Sequence, residues 1–295
     1  MTTQTYQQRF ANPTHLLLEI PDGKVKTLPG ESGWVNVKIE VDDAHPRTAY
    51  TDISLVQDLD GSVRAITAAK DPTRPHDIAP VTCTVELPPQ LDVTLHLIHG
   101  SAHLQATRGE WQIHTIESAI TLNDLEGSAE IHNVSGDVCG SNLRGALTLR
   151  TVSGDVELKA CEFTAIHAHT VSGDFEIEPG ALLTGPYEFH SVSGDVRLHL
   201  APNTGCELEF RSLSGEFEIS PSAIYYPRES DHRKITVQEG GAAVVFHSVS
   251  GDFALLVPQA APAATETVSS TMQTLDLLAS GKISFDEAFA RLRNK

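Results

Sequence analysis

The sequence predicts an all-β protein: a single-stranded β-solenoid, or β-helix, of roughly 20-residue turns, carrying a short C-terminal helical hairpin. Three observations predict it. A four-residue motif recurs through the second half, the residues around it alternate apolar and polar with period two, and helical periodicity enters only after residue 270.

The motif VSGD stands at 134–137, 152–155, 171–174 and 192–195, LSGE at 213–216, and VSGD again at 249–252. Its serines, Ser135, Ser153, Ser172, Ser193, Ser214 and Ser250, are separated by 18, 19, 21, 21 and 36 residues. A period near 20 is too short for helical pairs and suits stacked turns of β-strand that share one core. The 36-residue gap reads as two repeats, the middle one having lost its signature around YYPRESDHRK, where charges and Pro227 predict a bulging loop.

Alignment on the motif exposes columns. Three residues past each serine stand Val138, Val156, Phe175, Val196, Phe217 and Phe253, and five past it Leu158, Ile177, Leu198, Ile219 and Leu255. Between them lie Glu157, Glu176, Arg197, Glu218 and Ala254, so one face is apolar and the other mostly polar. A second strand precedes each motif, and glycines at 127, 136, 145 and 154, nine apart, predict half-turns of equal length.

The motif itself has a local explanation. Gly136, Gly154, Gly173, Gly194, Gly215 and Gly251 admit a positive φ or a close backbone approach, and the neighbouring Ser and Asp side chains bond nearby amides. The trios are therefore predicted to be structural repeat turns. Asp137, Asp155, Asp174, Asp195 and Asp252, with Glu216, also form a ladder of carboxylates about 5 Å apart, which raises calcium as a weaker reading. One carboxylate per turn leaves most of a coordination shell to water. Three residues before each serine runs another column, His132, Arg150, His169, His190, Arg211 and His247, predicted to face outward and to pair with acids. The arginines interrupt any histidine metal site, and alternation keeps His96, His99 and His103 from facing one way.

Residues 1–100 predict a β-rich cap and entry to the solenoid, with runs such as HLLLEI, WVNVKIEV and VTCTVEL separated by PDG, PGESG and LDG. Residues 101–257 form the solenoid, 258–270 an Ala, Pro and Thr-rich linker, and 271–295 the helical hairpin. In that tail Met272, Leu275 and Leu278 mark one stripe, Gly281 a stop, and Ser284 with Glu287 a capping box; Ile283 can staple against Ala288, and Phe289 and Leu292 continue the second helix. Helices this short need something to dock on. Leu275, Leu278, Ile283, Phe289 and Leu292 are thus the expected contact residues for self-association or another protein.

Composition bounds the function. With 21 Lys and Arg against 39 Asp and Glu the net charge is −18, and residues 151–220 alone carry −9, which excludes nucleic acid as a default partner. No apolar run is long enough to span a membrane, and MTTQTYQQRF lacks the features of a secretion signal, so the expected location is cytoplasmic. Cys83, Cys139, Cys161 and Cys206 stand far apart and read as small buried hydrophobes. No nucleotide-binding loop, nucleophile elbow or HExxH is present, and periodicity already explains every acid a glycosidase mechanism would need. The residues imply no enzyme and no cofactor.

The repeated VSGD and LSGE units, entered through VTCTVELPPQLDVTLHLIHG, resemble the bacterial putative-adhesin family with β-strand repeats, over roughly residues 14–257. The tail LLASGKISFDEAFARL resembles the SHOCT-like C-terminal motif, which implies oligomerisation or protein contact. Links of that family to cell-envelope stress imply a structural scaffold or protein-interaction module in envelope-stress or membrane-associated signalling. The alternative is a ligand-binding or adhesin-like solenoid using the exposed His, Arg and Glu columns. A polysaccharide-active enzyme fits less well.

Overall fold

Glycine corners turn long extended runs of this chain back on themselves. In a computed structural model, which describes residues 3–74, 77–180, 183–201, 204–219, 225–227 and 234–257, they wind nineteen strands into a stack of parallel rungs. The opening strands are β1 (Thr3–Ala11), β2 (His15–Pro29), β3 (Trp34–Asp42), β4 (Thr51–Gln57), β5 (Val63–Ala69) and β6 (Val81–Leu87). β2 is the first rung. It bends at Gly23 (φ 146°) and runs parallel to the start of β7 (Asp92–Ser135), from His15 opposite Asp92 to Lys26 opposite His103. On its other side lie β5 and β6, also parallel, and these carry antiparallel β4 and β3, with β1 outermost on β3.

β7 holds 44 residues and would reach about 145 Å if straight. Positive φ at Gly100, Gly109 and Gly127 bends it into successive half-turns instead. The nine-residue glycine spacing resolves into two corner columns: Gly145 sits on Gly127 and Gly127 on Gly109, while Gly154 sits on Gly136. Beyond β7, strands β8 (Val138–Ser141), β9 (Arg144–Thr151), β10 (Val156–Thr170), β11 (Phe175–Pro179), β12 (Tyr187–Ser191) and β13 (Val196–His199) pair in parallel, with Val138, Val156, Phe175 and Val196 in one file. That file is at most 2% exposed, and it lies in the one core that runs the length of the stack.

The far end departs from sequence order. It comprises β14 (Cys206–Ser212), β15 (Phe217–Ile219), β16 (Tyr225–Pro227), β17 (Lys234–Val237), β18 (Ala242–Ser248) and β19 (Phe253–Leu256). β18 lies between β12 and β14, and β19 between β13 and β15, so the last rung in sequence is inserted between the two before it. β17 covers the outer edge of β14 antiparallel, and β16 adds to β17. The chain returns around Gly205 through Gln238, Gly240 and Gly241, all with positive φ. The 36-residue gap is therefore an excursion that caps the end and comes back, not two repeats. Its physical effect is to bury Val244, Phe246, Phe253 and Leu255 fully between rungs, leaving Phe210, Phe217 and Ile219, only partly buried, on the terminal rung.

This corrects the predicted fold class. The architecture is an all-β repeat, but antiparallel strands stand at both ends, the rungs are out of order, and turn lengths are unequal. A solenoid end exposes a row of unpaired backbone groups, and the antiparallel strands cover those rows. The predicted C-terminal helical hairpin has no counterpart among the described residues, where the helical content is the 3-10 turn Thr48–Tyr50; residues 271–295 lie outside them. Met1–Val257 is one compact unit. Of the cysteines expected to be buried, Cys83, Cys161 and Cys206 are, whereas Cys139 is exposed.

Candidate interaction face

Each residue of the S-G-D trio makes its own contact with the rung before it. Ser153, Ser172, Ser193 and Ser250 donate Oγ–H to the carbonyls of Val134, Val152, Val171 and Val192, at 3.4, 3.4, 3.1 and 3.2 Å, and Ser135 and Ser214 do the same to Ile116 and Val249. Those valine carbonyls also accept the backbone N–H of the same serines. The glycines leave no room for a side chain: a Cβ on Gly154, Gly173, Gly194, Gly251 or Gly215 would stand 2.0–2.4 Å from the carbonyl oxygen of the preceding motif glycine.

The acids form a ladder of a different kind from a cation site. Asp137 accepts the backbone N–H of Asp155 at 3.1 Å, Asp155 that of Asp174, Asp174 that of Asp195, Asp195 that of Asp252, and Asp252 that of Glu216 at 2.7 Å. One oxygen of each aspartate is thus engaged by the protein's own backbone. Among the described residues no group of three His, Cys, Asp or Glu is arranged to hold a metal ion. His99 pairs with Glu117 at 3.1 Å, while His96 faces His114, so the early histidines do not converge.

The His and Arg column faces outward and is longer than the motif alone suggests. In spatial order it reads His96, His114, His132, Arg150, His169, His190, His247 and Arg211. The rings of His96, His114 and His132 follow one another at 5.1 and 5.0 Å, and those of His169, His190 and His247 at 4.7 and 5.2 Å. Desolvation first, then the neighbouring histidines, pushes His114 and His169 below the usual imidazole range; His247 is lowered by desolvation, then by His190 and Arg211. Acids flank the column: Glu130 accepts from His132 at 2.9 Å, which holds its carboxyl low, and Glu209 pairs with Arg211 and Lys234.

Two residues further along each rung stands a column that the motif-based reading passed over. Ile98, Ile116, Val134, Val152, Val171, Val192 and Val249 are 40–48% exposed, and Leu213 is 85% exposed. Seven steps of rung spacing make this aliphatic file about 34 Å long. Between it and the imidazoles runs a shallow groove, about 430 Å³ from His96 to Val152. The signal was present in the sequence: alternation that turns His132 outward turns Val134 outward as well. The motif valine reads as part of a turn signature, which conceals that its side chain has a face of its own.

The tail residues Leu275, Leu278, Ile283, Phe289 and Leu292 lie outside the described residues. No helix among the described residues is long and apolar enough to cross a membrane.

Among solved structures the chain is similar to a putative adhesin from Parabacteroides distasonis (11% identity, 86% of this chain and 97% of that one, TM-score 0.46) and one from Bacteroides fragilis (10%, 85% and 97%, 0.44). It is also similar to a putative cell adhesion protein from Clostridium sporogenes (11% identity, 87% and 100%, TM-score 0.27). None of the curated proteins matches it. The expected cytoplasmic location does not stand, because the lack of a long apolar helix among the described residues decides nothing about location. The resemblance is corrected too: the region matched to a family starts at residue 2, ends at 256 and takes in no part of the SHOCT-like tail. The match over 2–256 is to the family described as Toastrack DUF4097, and the chain belongs to that family.

Proposed function

We propose that this non-enzymatic β-repeat is a protein-binding module, presented at the cell surface, whose binding face is the aliphatic file together with the adjoining His and Arg column. The observation that carries the reading is the file itself. Eight rungs in succession expose a branched aliphatic side chain at this position. Contiguous exposed apolar surface of this kind marks interaction sites.

The rung step selects the shape of the partner. Apolar side chains on an extended strand recur about every 6.7 Å, out of step with rungs about 4.8 Å apart. Those on one face of an α-helix recur about every 5.4 Å, closer to the rung step, and a helix of about 22 residues matches the length of the file. The flanking Arg150 and Arg211, with imidazoles between them, favour acids along one side of that helix.

The test uses a labelled amphipathic peptide of about 22 residues, leucines on one face and glutamates beside them, titrated with the full chain and read by fluorescence anisotropy. Saturable binding is expected, weakened at least about tenfold by Val134→Lys with Val152→Lys, and weakened again when the glutamates become lysines. Equal binding by the wild type and the double variant overturns the reading.

A further inference from the structure

We propose that β1 is a contact between two copies of this chain, its free edge pairing antiparallel with the same edge of a second copy. β1 is bound on one side by β3 over nine residues, from Thr3 opposite Asp42 to Ala11 opposite Trp34, and no strand among the described residues pairs with its other side. Gln4, Tyr6, Gln8 and Phe10 stand opposite Val41, Ile39, Val37 and Val35, and so share the core-facing side of that sheet. The four β3 residues are at most 2% exposed, yet of their β1 neighbours only Phe10 is buried, and Tyr6 is 41% exposed. The strand overhangs the core.

An overhanging strand loses backbone freedom, of the order of 1–2 kcal/mol per residue, and within one copy it gains only a single ladder of hydrogen bonds in return. Edge strands of stable monomers are usually protected by charge, proline or a bulge. The edge strand β4 carries Asp52, and β16 carries Pro227. The segment Thr3–Gln8, TQTYQQ, carries none of these. It is uncharged, free of proline and glycine, and rich in Gln and Thr, the composition that lines up side-chain ladders between paired strands.

Charge and symmetry point to a second copy as the occupant. A chain of net charge −18 repels its own copies over most of its surface, but β1 contains no acid, and its one charge is Arg9. With the two-fold axis at Tyr6, Gln4 faces the second copy's Gln8, Thr5 faces its Gln7, and Thr3 faces its Arg9. No like charges oppose one another, and the contact is closed and self-complementary.

Light scattering on the full chain tests this. The wild type is expected to show the mass of two chains, and more fully so as salt screens the repulsion between acidic bodies. Thr5→Lys with Gln7→Lys places lysines opposite each other across the axis at positions exposed in the single chain, and is expected to halve the mass while leaving the circular dichroism spectrum of the folded β-structure unchanged. Tyr6→Cys in a Cys139→Ser background is expected to form a disulfide between copies on mild oxidation, since paired antiparallel residues lie within disulfide reach. A wild type of one-chain mass at every concentration overturns the proposal, as does a two-chain mass that survives the lysines or fails to cross-link at residue 6.

Discussion

Replacing Gly154 by alanine isolates the contact that sets the distance between rungs. Gly154 has φ 127°, and a Cβ there would stand 2.3 Å from the carbonyl oxygen of Gly136 and 2.9 Å from its carbon. Both are backbone atoms, and the oxygen is also held by the Asn133 side-chain amide, so no side chain can swing aside. Holding a non-glycine residue in this backbone region costs about 1–3 kcal/mol, and forcing apart a packed layer adds about 1–3 kcal/mol. The sum, about 2–6 kcal/mol, corresponds to a fall of roughly 0.7–2 M in the urea midpoint for an m-value near 3 kcal/mol/M. Gly140 is the internal control. Its φ is not positive, and its Cβ would meet the methyl ends of Leu143 and Leu158 at 2.7 Å, atoms that can yield. Gly140→Ala also removes freedom from the unfolded chain, which is worth about 0.4–1 kcal/mol, so its net change should be within about 1 kcal/mol. Circular dichroism across urea titrations of the two variants provides the comparison. Equal midpoints for Gly154→Ala and Gly140→Ala would refute the argument that the motif glycines are required by rung-to-rung contact.

Asp155→Ala removes the acceptor that Asp174 N–H uses at 3.1 Å and should lower stability by about 1 kcal/mol, with Asp155→Asn restoring most of it because its amide oxygen still accepts; urea midpoints of both variants check this. Because His114, His169 and His247 are held below the usual imidazole range in the folded state, the unfolded chain takes up protons first as pH falls. Their contribution to stability is therefore full above the ordinary pKa near 6.5 and is lost as pH falls through that value toward the folded-state values. Melting temperatures between neutral and mildly acidic pH should decline, and less steeply in His114→Asn with His169→Asn. Burial pushes the thiols of Cys83 and Cys206 up to about 12 and that of Cys161 up to about 11, while Cys139 is exposed. A thiol reagent should label Cys139 alone in the native protein and all four after denaturation, as counted by mass spectrometry.

Much of the fold is legible in the sequence because the stack repeats its constraints. Val138, Val156, Phe175 and Val196 recur at one offset from the serine because each occupies the same place in the core. Local periodicity cannot convey the order of the rungs. The rung at 242–256 satisfies the same inward pattern whether it follows 206–219 or is inserted before it, and the choice turns on which rung has its edge covered by β17. The tail and the cap are unequal cases: the start contains recognisable strands, but their parallel or antiparallel partners depend on contacts many residues away.

The candidate face was hidden by the success of the motif as a structural signal. Within V-S-G-D, the serine hydroxyl, the bare glycine and the aspartate carboxylate are each engaged by the neighbouring rung, so the fold accounts for their identity. The valine contributes only backbone groups to that network. Its side chain stands half in solvent, where threonine would keep the β-branched shape and add a hydroxyl for water. An aliphatic group held in that position rung after rung therefore calls for a cause outside the stack, and the proposed partner would supply one. The same argument excludes the aspartates as the functional row: their repetition is explained inside the fold, whereas that of the valines is not.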